Sequence, residues 1–145
     1  MVEALNEAQK AYNMGEVPVG AVIVKDDKVI ARTHNLKEKS QLATAHAEIL
    51  CIEKACKVLG TWRLENCEMY VTVEPCAMCS GAIINSRISK VYYGAKELKF
   101  GCHNSVVNIL SNDKFNHQVE VYSGIMEEEC SSLMKHFFQK LRIKK

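Results

Sequence analysis

Apolar side chains recur along the chain at two spacings, one typical of helices and one typical of strands. Ala4, Ala8 and Ala11 lie on one face of an N-terminal helix, and Gly15 suits the left-handed residue that ends a helix. β-branched residues dominate the next segment, where Asp26-Asp27 predicts the turn of a hairpin. The whole pattern predicts helices at 2–14, 45–59, 76–86, 105–111 and 126–141, and strands at 17–25, 28–33, 67–73, 90–94 and 119–122.

Residues with strong preferences for helix ends mark the later helices. Thr44 is expected to cap the second helix and Gly60 to end it. Pro75 stands directly after a strand, at a position where proline starts helices. Phe137 and Phe138 point about 100 degrees apart on the last helix, so one is expected in the core and the other at the surface. Polar loops are predicted at 34–44 and 95–104.

Strands that alternate with helices favour a central sheet covered by helices on both faces. The opening hairpin makes that sheet mixed, because its two strands are antiparallel while the later strands are separated by helices. The expected fold class is therefore α/β, with three α/β/α layers around a five-stranded mixed sheet. Residues 1–145 contain two prolines and neither a repeat nor a linker, so a single domain is expected.

Composition agrees with a globular chain and excludes several other classes. Apolar residues make up 48% and charged residues 25%, which argues against disorder. The apolar run Ala21–Val24 is far shorter than the roughly 20 residues of a membrane span, so no membrane partner is expected. The acidic start, 1–7, lacks the features of a secretion signal, which predicts a cytoplasmic protein. Seven cysteines in a reducing compartment are expected as thiols or metal ligands.

Net charge alone does not predict a nucleic-acid partner, because 19 basic and 17 acidic residues leave only +2. The distribution is more informative. The segment from Lys135 to the last residue contains basic residues and no acidic one. Three acidic residues, 127–129, precede it. This order is explained equally by a helix whose charges complement its macrodipole.

Two predicted helix starts carry side chains suited to a metal. Cys76 and Cys79 are three residues apart, so both sulfurs lie on one side of a helical turn. With His46 they make three ligands of the types that zinc prefers, and a fourth position left for water is typical of a catalytic site. Glu48, two residues after the histidine, is a candidate acid/base for the proton transfers such a site requires.

Each part of this pattern has an alternative explanation when taken alone. His46 is compatible with an ordinary surface or core histidine, and Cys76 and Cys79 with a redox pair or two buried thiols. The combined order, H-x-E followed by P-C-x-x-C, is the known pattern of zinc nucleobase deaminases. The sequence therefore predicts a zinc deaminase site.

Motifs similar to those of a known family extend over nearly the whole chain, at 16–22, Asn35, 44–49, 70–76, 79–83 and 115–117. In these motifs the chain resembles the bacterial tRNA-specific adenosine deaminases, which have a cytidine deaminase-like fold. In this family a homodimeric enzyme converts adenosine to inosine at the first anticodon position of tRNA, so the resemblance implies an anticodon-loop substrate and a second copy of the chain as partners.

The resemblance also implies roles for single residues. His46, Cys76 and Cys79 would hold Zn²⁺, and Glu48 would shuttle the proton. Asn35 would bind the purine edge, since an amide both donates and accepts hydrogen bonds. A turn residue that stabilises its own loop is the alternative for Asn35. Three apolar residues would line the pocket: Val17, Ala47 and Val73.

The family's RNA-binding surface falls on the loop near 96–105 and on the last helix. Lys99 and Phe138 are the leading candidates there, as a cation and an aromatic ring suited to single-stranded RNA. The segment 97–105 is bulkier than in many relatives, so its nucleotide contacts are expected to differ. The other candidates on this surface are Lys96, Phe100, His103, Phe137, Arg142, Lys144 and Lys145.

Two other functions share parts of the pattern. A free-base or nucleoside deaminase would have the same zinc site, but the basic last helix argues against it. A zinc-stabilised binding module would have no use for Glu48 beside an open coordination position. The cysteines at 51, 67 and 130 occupy apolar positions and are expected to be buried as small hydrophobic side chains.

Overall fold

The computed structural model describes residues 1–144 and contains a central sheet with the strand order β2-β1-β3-β4-β5. The five strands are β1 (Gly20–Lys25), β2 (Lys28–His34), β3 (Cys67–Val73), β4 (Lys90–Ala95) and β5 (Glu120–Tyr122). The helices are α1 (Val2–Asn13), α2 (Lys37–Ser40), α3 (Ala47–Leu59), α4 (Ala77–Asn85) and α5 (Glu127–Lys144).

The sheet is mixed, as the sequence predicts. β1 pairs antiparallel with β2 and with β3, whereas β3, β4 and β5 run parallel. Asp26 and Asp27 form the tight turn between β1 and β2, and both have positive φ, the backbone geometry that matches the twist of a two-residue hairpin. The carboxyl ends of β3 and β4 therefore meet at one edge of the sheet.

Helices cover both faces of the sheet and complete the predicted three layers. α3 packs on β1 and β2 and contacts α4, while α1 packs on β1 and β2 and contacts α5, which lies against β4. Gly20 permits the close approach of α1 to β1, since a Cβ atom there would overlap the carbonyl oxygen of Ala4 and the amide nitrogen of Ala8. The three-layer α/β/α prediction is confirmed.

The apolar core lies between the sheet and the helices. Met69 and Val71 of β3 and Val91 of β4 are completely buried in it. Cys51, Cys67 and Cys130 are each at most 1% exposed, which confirms their expected burial as small hydrophobic side chains. Phe137 is 8% exposed and Phe138 39%, so the expected division between core and surface is also confirmed.

Several element boundaries differ from the predicted ones. β1 begins at Gly20 rather than at 17, because Pro18 has no amide proton to donate to a sheet. The predicted loop 34–44 contains the short helix α2. Thr44 does not cap α3, which begins at Ala47 with His46 in the capping position and without a side-chain cap.

The predicted helix at 105–111 is wrong, since this segment consists of turns, bends and irregular backbone. The amide of Ser105 donates to the carboxylate of Glu74. The amides of Ile109 and Leu110 both donate to the carbonyl of Cys102. These amides thus donate to acceptors outside the segment and do not form the hydrogen bonds that a helix would need.

The final helix runs from Glu127 to Lys144, three residues beyond its predicted end. Its acidic first turn and the exposed Lys135, Lys140 and Arg142 agree with the helix macrodipole. The last residue of the basic tail, Lys145, lies outside the described residues. Among the helices formed by residues 1–144, none combines the length and the apolar character that crossing a bilayer takes.

Candidate active site

Two helix N-termini meet at the carboxyl ends of β2 and β3 and bring the predicted metal ligands together. His46 caps α3 and Cys76 caps α4, each with an extended backbone. Pro75 lies between β3 and α4 and turns the chain from one into the other. The free amides of a helix start favour thiolate over thiol, which suits a cysteine that binds metal.

The three ligand atoms have the spacing of a tetrahedral zinc site. Nδ1 of His46 lies 3.6 Å from Sγ of Cys76 and 3.6 Å from Sγ of Cys79. All three atoms lie within 4.8 Å of one another. With Zn–S near 2.3 Å and Zn–N near 2.05 Å, a tetrahedral centre places nitrogen and sulfur about 3.6 Å apart. Both nitrogen–sulfur distances therefore fit a zinc ion.

The protonation of these groups favours metal binding. Hydrogen bonds from the Cys79 thiol and from His46 lower the pKa of Cys76 to about 4, so this sulfur is a thiolate at neutral pH. The hydrogen bond to the Cys76 thiolate raises the pKa of Cys79, and burial raises it further. A divalent cation would replace the shared proton and hold both sulfurs as thiolates.

Glu48 lies in the first turn of α3, in the same cavity as His46 and Cys76. Its side chain is almost fully buried, at 4% exposure of the residue. Burial raises the pKa of Glu48 to about 7, with a further contribution from the negative charge on Cys76. A carboxyl group with such a pKa is suited to both giving and taking a proton near neutral pH.

A cavity of about 460 Å³ opens from this cluster to the surface. That volume is within the range of small-molecule sites, and its apolar walls carry a few polar groups. Cys79 is completely buried behind the cavity. The sequence-predicted residues that line it are Val17, Asn35, His46, Ala47, Glu48, Val73, Cys76 and Phe138.

The chain is similar over its full length to known deaminases. A profile of the MafB19-like deaminase family matches residues 1–142. The tRNA-specific adenosine deaminase of Bacillus subtilis strain 168 is 54% identical over 145 residues, which cover 100% of this chain and 90% of that protein. The chain belongs to the tRNA-specific adenosine deaminase family.

Solved structures of related proteins share the fold of this family member. One, from a study of A-to-I editing by tRNA:A34 deaminases at the wobble position, is 45% identical with a TM-score of 0.88, covering 92% of this chain and 96% of that chain. The guanine deaminase of Bacillus subtilis is 36% identical with a TM-score of 0.65, covering 97% and 90%. The fold is thus shared with an enzyme named for a different purine.

Asn35 combines both interpretations made from the sequence. Its Oδ1 accepts a hydrogen bond from the Lys37 amide at 3.1 Å, and its Nδ2 donates to the Val17 carbonyl at 3.2 Å, so it stabilises its own loop. It also lines the cavity at 7% exposure. The amide has a second proton and a second lone pair left, and these are free to contact a ligand.

The rim of the cavity includes residues that sequence reasoning did not assign to the site. Lys37 of α2, Met134 of α5 and Glu97 line it. Phe100, a sequence candidate for the RNA-binding surface, also lies at this rim. Met134 and Phe138 are four residues apart on α5, a spacing that could have indicated their common face. Lys99 is exposed beside Phe100 but does not line the cavity.

Proposed function

We propose that the protein is a zinc-dependent deaminase that converts adenosine to inosine at the first anticodon position of tRNA. The observation that carries this proposal is the close grouping of His46, Cys76 and Cys79 beside a cavity that buried Glu48 lines. The family to which the chain belongs and the A34 substrate of its structural relative support the choice of substrate.

His46 would hold the ion through Nδ1, and Cys76 and Cys79 through their sulfurs. When bound, zinc supplies the Lewis acidity that activates water as the nucleophile. Three protein ligands leave room for that water, whereas a structural site would be closed by a fourth side chain. Within residues 1–144, only these three side chains form a metal-binding group of this kind.

Glu48 is the proposed catalytic acid/base. Its carboxylate takes one proton from the attacking water and gives it to a ring nitrogen of the purine. It then passes the remaining hydroxyl proton to the amine, which leaves as ammonia. Carbon 6 thereby exchanges its amine for oxygen, and adenosine becomes inosine. A pKa of about 7 matches this double role, since both forms of the carboxyl group are populated at neutral pH.

The cavity walls suit a single purine. Val17, Ala47 and Val73 provide apolar surface for the ring, and Asn35 offers its remaining donor and acceptor to the ring edge. The ligands lie at the bottom of a recess, so a base in a paired stem would not reach them. A base in an anticodon loop is already unpaired and can swing in at low cost.

The mouth of the cavity supports an RNA loop as the substrate. Phe100 is 68% exposed and Phe138 39%, and both rings are available for stacking on neighbouring bases. Lys37 lies at the same rim, and Lys99 is exposed next to Phe100. Cations near aromatic rings bind the backbone and bases of single-stranded RNA.

The proposal also includes a homodimer, a single deaminase domain over residues 1–145 and a cytoplasmic location. α4 is short and mostly apolar, yet Ala77 and Gly81 are exposed on it, which favours cover by a second copy. The free thiols at all seven cysteine positions are typical of a reducing compartment. Sedimentation that shows only monomer at micromolar concentration would contradict the dimer.

The decisive experiment incubates the zinc-loaded protein with an adenosine-containing anticodon hairpin and measures RNA mass for the exchange of amine for oxygen. Parallel reactions contain free adenosine, free guanine or free cytidine. Conversion of the hairpin alone is expected. Turnover of free guanine without the hairpin would favour a free-base deaminase, and zinc and RNA binding without ammonia release would favour a binding module.

A further inference from the structure

Glu74 is among the residues that line the cavity and is buried, with 2% exposure. It follows Val73 of β3 and precedes Pro75, and its amide donates to the carbonyl of Ala95 at the end of β4. Its carboxylate is therefore held beside the point where the chain leaves β4. The segment that follows, residues 97–105, is called the 97–105 loop.

The carboxylate of Glu74 collects hydrogen bonds from both ends of the 97–105 loop. Oε2 accepts from the successive amides of His103, Asn104 and Ser105 at 2.9, 3.1 and 3.2 Å. Oε1 accepts from the Glu97 amide at 3.2 Å and from the Ser105 hydroxyl at 2.6 Å. Successive amides that converge on one oxygen form a concave anion site, here filled by a side chain of the same protein.

Close packing around the carboxylate keeps the loop in one arrangement. A Cβ atom on Gly101 would lie 2.6 Å from Oε1 of Glu74 and 2.5 Å from the carbonyl oxygen of Glu97. The amide of Cys102 donates to the Pro75 carbonyl at 2.8 Å, which adds a second attachment next to the first. The base of the loop is thus fixed on the segment that leads into α4.

The tip of the same loop projects from this fixed base. Leu98 and Phe100 are 75% and 68% exposed, and Phe100 reaches the rim of the cavity. Because the tip itself has few buried contacts, its position depends on how the base is held. The metal ligands and Glu48 lie instead on α3 and α4.

We infer that Glu74 is a positioning residue that holds Phe100 at the rim of the cavity and thereby sets the affinity for the RNA loop around the reacting adenosine. This inference rests on the proposed function and deepens it. Glu74 acts through the loop and not on the reacting base. Its removal is expected to weaken binding of the hairpin while the chemical step continues.

The test compares Glu74→Gln with the wild-type protein in zinc-loaded form. The glutamine presents an NH₂ group to N–H donors, so at least one side of the anion site is lost. KM for the anticodon hairpin is expected to rise about tenfold, with kcat within about threefold and zinc content unchanged. Backbone hydrogen exchange is expected to accelerate at 97 and 103–105 only.

A double-mutant cycle with Phe100→Ala separates positioning from a general structural effect. If Glu74 acts through the tip, Glu74→Gln will not raise KM further once the ring is absent. An equal rise in KM in both backgrounds would overturn the inference, as would an unchanged KM in the single variant. Glu7→Gln is the matched control, because it alters a buried carboxylate far from Glu74 in the sequence, and it should leave KM unchanged.

Ser105→Ala covers the case in which Glu74→Gln fails to fold or loses zinc. It removes only the 2.6 Å hydroxyl bond and should raise KM less, again only when Phe100 is present. If wild-type protein does not deaminate the hairpin, the proposed function fails. The dissociation constant of the hairpin then replaces KM, and absence of the same pattern in it overturns the inference about Glu74.

Discussion

Nδ1 of His46 and Sγ of Cys76 lie 3.6 Å apart although the two residues are 30 positions apart in the chain. Each caps a different helix, so their contact depends on how α3 and α4 start beside the carboxyl ends of β2 and β3. Two helix starts thereby place three zinc-type ligands together beside one cavity.

Replacing Cys79 with alanine is expected to abolish both zinc binding and deamination. Two ligands remain, and the site loses its tetrahedral set. Zinc per protein chain is measured by elemental analysis, together with hairpin deamination. Cys51→Ala is the matched control, because Cys51 is also completely buried but lies in the core away from the ligands. Full zinc retention in Cys79→Ala would contradict the assigned ligand set.

Removal of zinc by a chelator is expected to lower the melting temperature of the wild-type protein. A ligand that binds only the folded state contributes about 2.7 kcal/mol at 100 times its Kd. Thermal unfolding with and without chelator measures the difference, which should vanish in Cys79→Ala. An equal chelator effect in the variant would mean that the ion acts elsewhere.

Substitution of Glu48 by glutamine is expected to reduce kcat by a factor of about 10² to 10⁴ while zinc remains bound. Glutamine keeps the shape of the side chain but cannot transfer the proton. Single-turnover deamination of the hairpin and zinc content are measured on the same preparation. Loss of zinc in this variant would show that Glu48 supports the metal rather than the proton transfer.

Gly20→Ala is expected to destabilise the protein by about 1–3 kcal/mol, because the added Cβ would overlap the backbone of α1 at Ala4 and Ala8. The free energy of unfolding is obtained from urea titration. The control is Gly81→Ala in α4, where an added Cβ meets no atom within 4 Å and alanine favours the helix. Similar losses in both variants would contradict the assigned contact.

Glu7→Gln is expected to reduce stability by about 1 kcal/mol near pH 7 and by little in acid. The buried Glu7 carboxylate accepts hydrogen bonds from Lys10 at 2.6 Å and His34 at 2.9 Å. Burial opposes ionisation, but the bonds to Lys10 and His34 outweigh it and hold the pKa of Glu7 below its ordinary 4.5.

The sign of the pH effect follows from this lowered pKa. The unfolded chain holds the Glu7 proton more tightly, so the contribution is complete above pH 4.5 and is lost as the pH falls through the lower folded value. Urea titrations of wild type and Glu7→Gln from pH 3 to pH 7 measure the difference. A difference that grows as the pH falls would contradict the prediction.

Local signals in the sequence were sufficient for most elements and for the chemistry. Gly15 has a φ of +79 degrees and stands just past α1, as its position predicts. His46, Glu48, Cys76 and Cys79 were recognisable because their types and spacing are tied to short helical turns. Asn35 was assigned to the pocket from a family resemblance, and the structure places it there while also showing its role in the turn.

The 105–111 segment shows why other features could not be read from the chain. Its residues are compatible with a helix, but the amide of Ser105 bonds to Glu74, a residue 31 positions away. Lys37 reaches the cavity rim because α2 forms inside a predicted loop. No local sequence pattern predicts either of these two features.

The sequence by itself determined the type of most helices and strands and pointed to the proposed ligand set with an acid beside it, because these depend on periodicity and on spacing within one or two turns. Only the tertiary structure decided that the carboxylate of Glu74 organises the 97–105 loop and that the cavity ends at Phe100 and Lys37. The physical reason is that hydrogen bonds and burial between distant segments exist only after the strands have paired.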